Sequence, residues 1–495
     1  MKVSLLTKPL HAADGDVLIV GAYAEDKRLP EPLAHLDRTL GGQMAEVLKE
    51  EQFQGKTGQL SHFYTAGRVP AKRVMVVGLG ARGQVTAETV RRAAAAGVRR
   101  ARDLGARVVS IDVLGDPLPL GQRARAVVGG AILGTYTFER YRKEKTDKVV
   151  EELRLVEPDA RRAEALNEAI RIGQRFAEAT SFARDLINAP ANEVNPTYLA
   201  KTAAEIAREG KLKLRVYERA ECEKMGMGAY LGVALGSDSP PKFIHLTYHP
   251  PGRARRRVAI IGKGITFDSG GLDLKPADGM LRMKNDMSGA AAVLAVMRTL
   301  PALNPPLEVH AIIAATENMV SGKAQRPGDI VRAMNGVTIE IGNTDAEGRL
   351  TLADALCYAV TRVKPDEMID VATLTGACVV ALGSLCAGLL TNDQPLADRV
   401  KAAADLVGER VWQLPMIDEY KEGLKSDVAD INNVGPRGGG AINAGIFMKE
   451  FVGDIPWVHL DIAGPAFSDK DLPLCPKGGT GFGVRTLLAY LTDLK

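Results

Sequence analysis

Asp345, Glu347 and Arg349 stand at alternate positions in the stretch Asn343-Thr344-Asp345-Ala346-Glu347-Gly348-Arg349-Leu350. The apolar run at 337–341 reads as a strand, and Leu352, Ala355, Leu356 and Ala359 recur at helical spacing. The octapeptide is therefore a strand-to-helix junction, where open α/β sheets tend to carry their sites. If it enters extended, the two carboxylates and the guanidinium point to one side. A divalent metal neutralises such a group; a solvated acidic loop with a local ion pair is the plainer alternative.

Two further segments join a strand to a glycine-rich turn or a helix start. One runs from Ile261 through Lys263 and Asp268 to Gly271, followed by Lys275-Pro276; the other is Met283-Lys284-Asn285-Asp286-Met287-Ser288-Gly289-Ala290. Asp268, Asp286, Asp345 and Glu347 are hard oxygen donors, and carboxylates can bridge two cations. None of the seven histidines lies in these blocks, which argues against a histidine-rich zinc site. His459, inside a strand, reads as a core residue or a support to the site. Lys263 coordinates a metal only as the neutral amine, which a nearby dication favours. A salt bridge from Lys263 to one of the acids fits the residues equally well.

The blocks GKGITFDSGGLDLKP (262–276), MKNDMSGAAA (283–292), NTDAEGRL (343–350), DVATLTGA (370–377), SDVADINNVG (426–435) and HLDIAG (459–464) occur in that order. Through them the chain resembles the leucine aminopeptidase (cytosol aminopeptidase) family of two-metal peptidases. The likeness is strong over 160–495 and loose before it. It implies release of N-terminal amino acids from peptides, preferentially Leu-like or Met-like. It implies one ion on Lys263, Asp268, Asp286 and Glu347, and a second on Asp268, Asp345, Glu347 and a backbone carbonyl of the 345 loop. Paired ions about 3.5–4 Å apart activate water and clamp the reacting carbonyl. The substrate's free amine on one ion would account for exopeptidase action.

With no histidine left over as general base, the resemblance implies a bicarbonate held by Arg349, whose guanidinium fork suits a carboxylate-like anion. It makes protonated Lys275 the stabiliser of the oxyanion, and lines the side-chain pocket with Met283, Thr375, Gly376, Ala377, Ala463 and Gly464. Asp273 stands where Ser or Asn is commoner in the family, adding an acid near Lys275. The metals implied are Mn or Zn, although an oxygen-rich site also accepts Mg or Co. The family also implies a homohexamer.

A chain of 495 residues, 46% hydrophobic and 25% charged, predicts a globular protein of more than one domain. The expected architecture is α/β. A smaller N-terminal α/β domain (1–158) and a long linking helix (159–188, with Asp159 as N-cap) lead to a larger catalytic α/β domain (189–495). Its strands near 213–218, 242–248, 258–262, 308–315, 337–342, 367–372 and 457–462 predict a mostly parallel sheet covered by helices. In the first domain, strands are expected at 17–20, 74–77 and 108–111, with a helix over 86–104.

Five cysteines without CxxC spacing predict a reducing compartment, the cytoplasm. No long apolar leader is read at the start, and no run of about 18 apolar residues predicts a membrane span. Gly78-Leu79-Gly80-Ala81-Arg82-Gly83 fits the dinucleotide pattern after a strand, but Asp112 comes late for the expected acid. An oxidoreductase reading rests on that turn only, and a tight glycine turn is the plainer account. Arg91, Arg92, Arg99, Arg100, Arg102 and Arg107, with Arg140, Arg142, Lys143 and Lys145, read as a solvated basic face. Since some bacterial members of the resembled family bind DNA, DNA binding is an alternative or secondary role. The net charge of +4 permits it without arguing for it.

Overall fold

Val17, Leu18, Ile19 and Val20 are fully buried, as a run of apolar residues must be when its strand is covered on both faces. The computed structural model describes residues 1–26 and 29–494. It divides into two compact units: residues 1–181 with 470–476, and residues 182–469 with 477–495.

The first unit holds a six-stranded sheet of β1 (Lys2–Leu6), β2 (Gly15–Ala22), β3 (Leu60–Tyr64), β4 (Ala71–Gly78), β5 (Val108–Asp112) and β6 (Glu152–Val156). The order is β1-β6-β5-β2-β4-β3, parallel except for the edge pair β3–β4. The helix expected over 86–104 is Ala87–Asp103, its start fixed by a capping box between Thr86 and Thr89. β1, β3 and β6 were not read from the sequence; they are short, and only β6 is well buried.

The glycine turn after β4 is closed by its own neighbours. Arg82 lies 3.9 Å over the Tyr23 ring and pairs with Asp26 at 3.4 Å and with Asp116. Much of the basic face is engaged as well: Arg92 with Glu88 at 2.8 Å, Arg102 with Asp103 at 3.0 Å and Arg107 with Glu151 at 2.7 Å. The linking helix forms as Ala163–Asn188. A 3-10 turn precedes it, with the Asp159 side chain accepting from Arg161 N.

The second unit is built on β7 (Lys213–Tyr217), β8 (Lys242–Tyr248), β9 (Arg257–Asp268), β10 (Glu308–Asn318), β13 (Glu367–Ala372), β14 (Ala387–Thr391), β15 (Val411–Gln413) and β17 (Trp457–Asp461). Their order is β15-β14-β17-β13-β9-β10-β8-β7. The four central strands run parallel; β14 is antiparallel to β17, and β8 and β7 form an antiparallel flank. The expected strand over 337–342 departs from this plan. It is β12 (Thr338–Glu340), in a separate small sheet with β11 (Ile330–Arg332) and β16 (Ile431–Asn432). Only Ile339 of β12 is buried, which suits a half-exposed ribbon rather than a doubly covered strand.

The helix Ser288–Leu303 is apolar almost all round and nearly wholly buried. Gly289 lets it sit on the sheet: a Cβ there would lie 1.9 Å from the carbonyl oxygen of Val371. Helices Gly348–Tyr358 and Gly440–Lys449 share a core cluster with Ile261, Met368 and Trp457 of the central strands. Among the described residues, no helix is long and apolar enough to cross a membrane.

Candidate metal centre

Lys263 and Asp268 lie on β9, with Asp268 as its last residue. The register of β10 against β9 shifts between Thr316 and Asn318, bringing Asn318 opposite Asp268. That irregularity aims a side chain, as bulges beside sites do: Asn318 Nδ2 donates to Asp268 Oδ1 at 2.9 Å, and Gly270 N donates to the same oxygen at 2.8 Å. Asp268 Oδ2 faces Lys275 Nζ at 2.8 Å, and Lys275 also reaches Asp345 Oδ1 at 2.5 Å.

Asp286 follows the 3-10 turn Met283–Asn285. Its Oδ1 accepts from Thr373 Oγ1 at 2.7 Å and from Lys263 Nζ at 2.8 Å. Lys263 Nζ also lies 2.8 Å from Glu347 Oε1 and donates to the carbonyl of Thr373 at 2.9 Å. Gly348 opens the next helix directly beside this lysine; a Cβ there would lie 2.4 Å from Lys263 Cε.

The 343–347 stretch is not extended. It turns, with Ala346 N donating to Asn343 O at 3.3 Å, and Glu347 is already in the right-handed helical region. Simple alternation therefore does not hold across Asp345, Glu347 and Arg349. Of the acids in this loop, Asp345 pairs with Lys275 and Glu347 with Lys263, while Arg349 Nη1 donates to the carbonyl of Asn433 at 2.8 Å. Asp273, the extra acid, is absorbed locally: its Oδ2 accepts from Thr344 N at 2.7 Å, and Thr344 Oγ1 donates to Gly270 O at 2.7 Å. These bonds fasten the loop after β9 to the loop before Gly348.

Lys263, Asp268, Asp286 and Glu347 are all at most 3% exposed. Burial, with the charge of neighbouring carboxylates, pushes Asp268, Asp286 and Asp345 upward. Burial pulls Lys263 and Lys275 down, but the surrounding carboxylates outweigh it and hold both above the ordinary lysine value. Four carboxylates, three of them buried and Asp345 partly exposed, face two lysine side chains, leaving a surplus of acid. One carboxylate oxygen from each of Asp268, Asp286 and Glu347 lies within 4.8 Å of the others, a spacing that could hold a metal ion. Glu347 Oε2, buried, has no hydrogen-bond partner among the described residues. Oxygen donors, excess negative charge and an unpartnered carboxylate oxygen fit divalent cations.

Arg349 is buried, which lowers it to about 10. Its Nε is buried and has no partner among the described residues. Thr375 and Ala463 converge on a residue that sequence reasoning did not single out, Asp461. Thr375 Oγ1 donates to Asp461 Oδ2 at 2.6 Å, and Ala463 N to Oδ1 at 3.1 Å. Gly376 is exposed at the start of the helix Gly376–Leu382. Met283 is half-buried, three residues before Asp286. Asn318, Thr373 and Asn433 were also missed. Thr373, Asn433 and Asp461 lie inside the motif blocks, but as orienting groups they carry no spacing signal of their own.

The catalytic-domain model of the cytosol aminopeptidase family matches residues 181–488, and its N-terminal-domain model matches residues 19–145. The chain is 44% identical over 494 residues to a protein of a Sulfurihydrogenibium species described as a "probable cytosol aminopeptidase", covering 99% of this chain and 98% of that one. A protein of Aquifex aeolicus with the same description is 46% identical over 495 residues, with 99% and 98% covered. Among solved structures, a tomato leucine aminopeptidase mutant superposes with a TM-score of 0.91 at 38% identity, covering 100% of this chain and 96% of that one. The bottromycin maturation enzyme BotP in complex with Mn gives 0.87 at 39% identity, with 97% and 99% covered. With the buried carboxylates in place and both family models matched, the chain belongs to the cytosol aminopeptidase, or leucine aminopeptidase, family of peptidases.

Proposed function

We propose that this peptidase removes N-terminal residues, preferentially Leu-like or Met-like, from peptides by two-metal hydrolysis. The observation that carries the reading is the surplus of buried carboxylate around Lys263 and Lys275. One ion would be held by Asp268, Asp286, Glu347 and Lys263, the lysine giving up its ammonium proton to solvent as the dication takes its place beside the acids. The other would be held by Asp268, Asp345, Glu347 and a carbonyl of the 345 loop. Bound there, two divalent ions supply an activated water near neutral pH and a Lewis acid for the scissile carbonyl. Mn or Zn is the expected metal, and the Mn complex of BotP supports the former.

The chain's own residues do the rest. Asn318 and Gly270 N fix the Asp268 carboxylate so that its second oxygen faces the site. Lys275, held protonated by its acidic neighbours, presents positive charge to the oxyanion as it develops. Arg349 offers its unpartnered Nε–H to a bicarbonate-sized anion that serves as proton acceptor. Met283, Thr375, Gly376 and Ala463 would line the pocket for the first side chain, with Asp461 holding two of them in place.

The catalytic domain would span 189–495, in a cytoplasmic homohexamer. The paired arginines of the basic face give DNA binding no specific support. Exhaustively chelated protein should be inactive toward aminoacyl substrates and regain activity on adding back Mn or Zn, with about two ions per chain at the carboxylate centre. Full activity in metal-stripped protein would overturn the proposal.

A further inference from the structure

Another cluster of ligating side chains lies on one face of the antiparallel pair β8–β10. Strand alternation puts His245 and Thr247 on the same face of β8, and the register sets Thr247 opposite His310. One step on, just past the strand, His249 Nδ1 lies 3.5 Å from Glu308 Oε2. His245 Nε2 and His310 Nδ1 are 2.9 Å apart, and Thr247 Oγ1 is 3.3 Å from each. Two imidazole nitrogens and a hydroxyl oxygen thus form a small triangle. The N–N spacing around a tetrahedral ion at 2.0–2.1 Å is roughly 3.3 Å, so a few tenths of an ångström separate the triangle from one face of a coordination shell.

Both rings are held from behind, as metal-ligating histidines are. His310 Nε2 meets Glu308 Oε1 at 2.7 Å, and Arg257 Nε holds the same oxygen at 2.7 Å. His245 Nδ1 meets Tyr358 OH at 3.0 Å, and that hydroxyl meets Tyr217 OH at 3.0 Å. Arg215, in register with His245 on β7, is occupied by Glu221 at 2.7 Å. Burial keeps both imidazoles neutral at pH 7, lowering His245 to about 4 and His310 below its ordinary value.

We propose that His245 Nε2, His310 Nδ1 and Thr247 Oγ1 bind a borderline transition-metal ion of the Zn²⁺ or Cu²⁺ class, with water completing the shell. Two imidazoles suit such an ion, whereas the carboxylate centre is oxygen-rich and offers one nitrogen, that of Lys263. Proton bookkeeping closes within the chain. Without metal, His310 donates from Nε2 to Glu308, so its Nδ1 accepts the Nε2–H of His245, and His245 Nδ1 accepts from Tyr358. On metal binding the His245 proton moves from Nε2 to Nδ1. Tyr358 then turns to donate to Tyr217, and no proton need leave the pair.

The test uses full-length protein titrated with Cu²⁺ and followed by electron paramagnetic resonance, beside zinc analysis after dialysis. Wild type should show coupling to two imidazole nitrogens. His245→Gln and His310→Gln should each lose that signal and carry one zinc fewer per chain, while Glu347→Gln, at the carboxylate centre, should keep the signal. Tyr358→Phe, which keeps all three ligands, should bind about 10-fold or more weakly through loss of the orienting bond. Equal zinc content in wild type and both glutamine variants, with no two-nitrogen signal, would leave an ordinary hydrogen-bonded imidazole pair and overturn the proposal. So would a two-nitrogen signal that disappears in Glu347→Gln.

Discussion

Lys263 and Lys275 carry the same charge to different ends. Lys263 is wedged between Asp286 and Glu347, whereas Lys275 spans Asp268 and Asp345 from the outer side, more exposed. Lys275→Ala should retain its metals and lose roughly 10²–10³-fold in kcat, because the contact strengthens as oxyanion charge develops. Arg349→Ala should also retain metal but lose any stimulation by added bicarbonate. Metal analysis of both purified variants checks this; lost metal would make the two cations structural partners of the acids. Asp461→Asn should leave metal content unchanged and alter preference among N-terminal side chains, since one of its oxygens becomes a donor facing Thr375 or Ala463. A substrate panel at fixed metal reads it. The acids and both lysines were legible in the sequence because their types and block spacing announce cation chemistry. Asp461 and Asn433 were not, because the contacts that matter, with Thr375 and Arg349, join residues 86 and 84 apart in the chain.

At the scale of elements, close approach sets what the site tolerates. Gly348→Ala would drive a methyl group into Lys263, so the expected outcome is loss of metal with the remaining fold retained, read by elemental analysis and circular dichroism. Gly289→Ala would meet the Val371 carbonyl instead, pushing a helix off the central sheet. It should lower the thermal midpoint sharply or prevent folding. Between β13 and β17, His459 Nδ1 bonds Asp370 Oδ1 at 2.6 Å, and Trp457 Nε1 donates to Asp370 Oδ2 at 2.7 Å. Burial lowers His459, but the Asp370 charge outweighs it and raises the imidazole above 6.5. Its stabilisation is fully present below pH 6.5 and lost as pH rises through the higher folded value. The gap in thermal midpoint between wild type and His459→Gln should therefore be widest below pH 6.5 and narrow on the alkaline side; a gap independent of pH would refute the charged pair. Central strands such as β9 and β10 were legible as continuous apolar runs. At β12 the apolar run was assigned to the main sheet but lies in a separate small one, and at the 343–350 junction a turn and an early helix start replaced the extended entry, so alternation failed there.

At the scale of the molecule, Val380 (89% exposed), Leu281 (85%) and Trp412 (62%) place large apolar groups on the surface of the second unit. The proposed hexamer should appear in light scattering as about six chains per particle. A monomer active at nanomolar concentration would exclude assembly as a requirement. The first unit has a property that concerns time. It is completed by residues 470–476, which the chain reaches only after the bulk of the second unit. Leu474 packs with Ala95, Leu133 and Ala177, and Arg99 donates to the carbonyl of Pro473. The intervening segment, residues 182–469, is 288 residues long. At the ~5–20 residues per second of translation, the ribosome takes roughly 15–60 s to make them. For that interval the earliest-made part of the protein waits, unfinished, for almost the last segment to emerge.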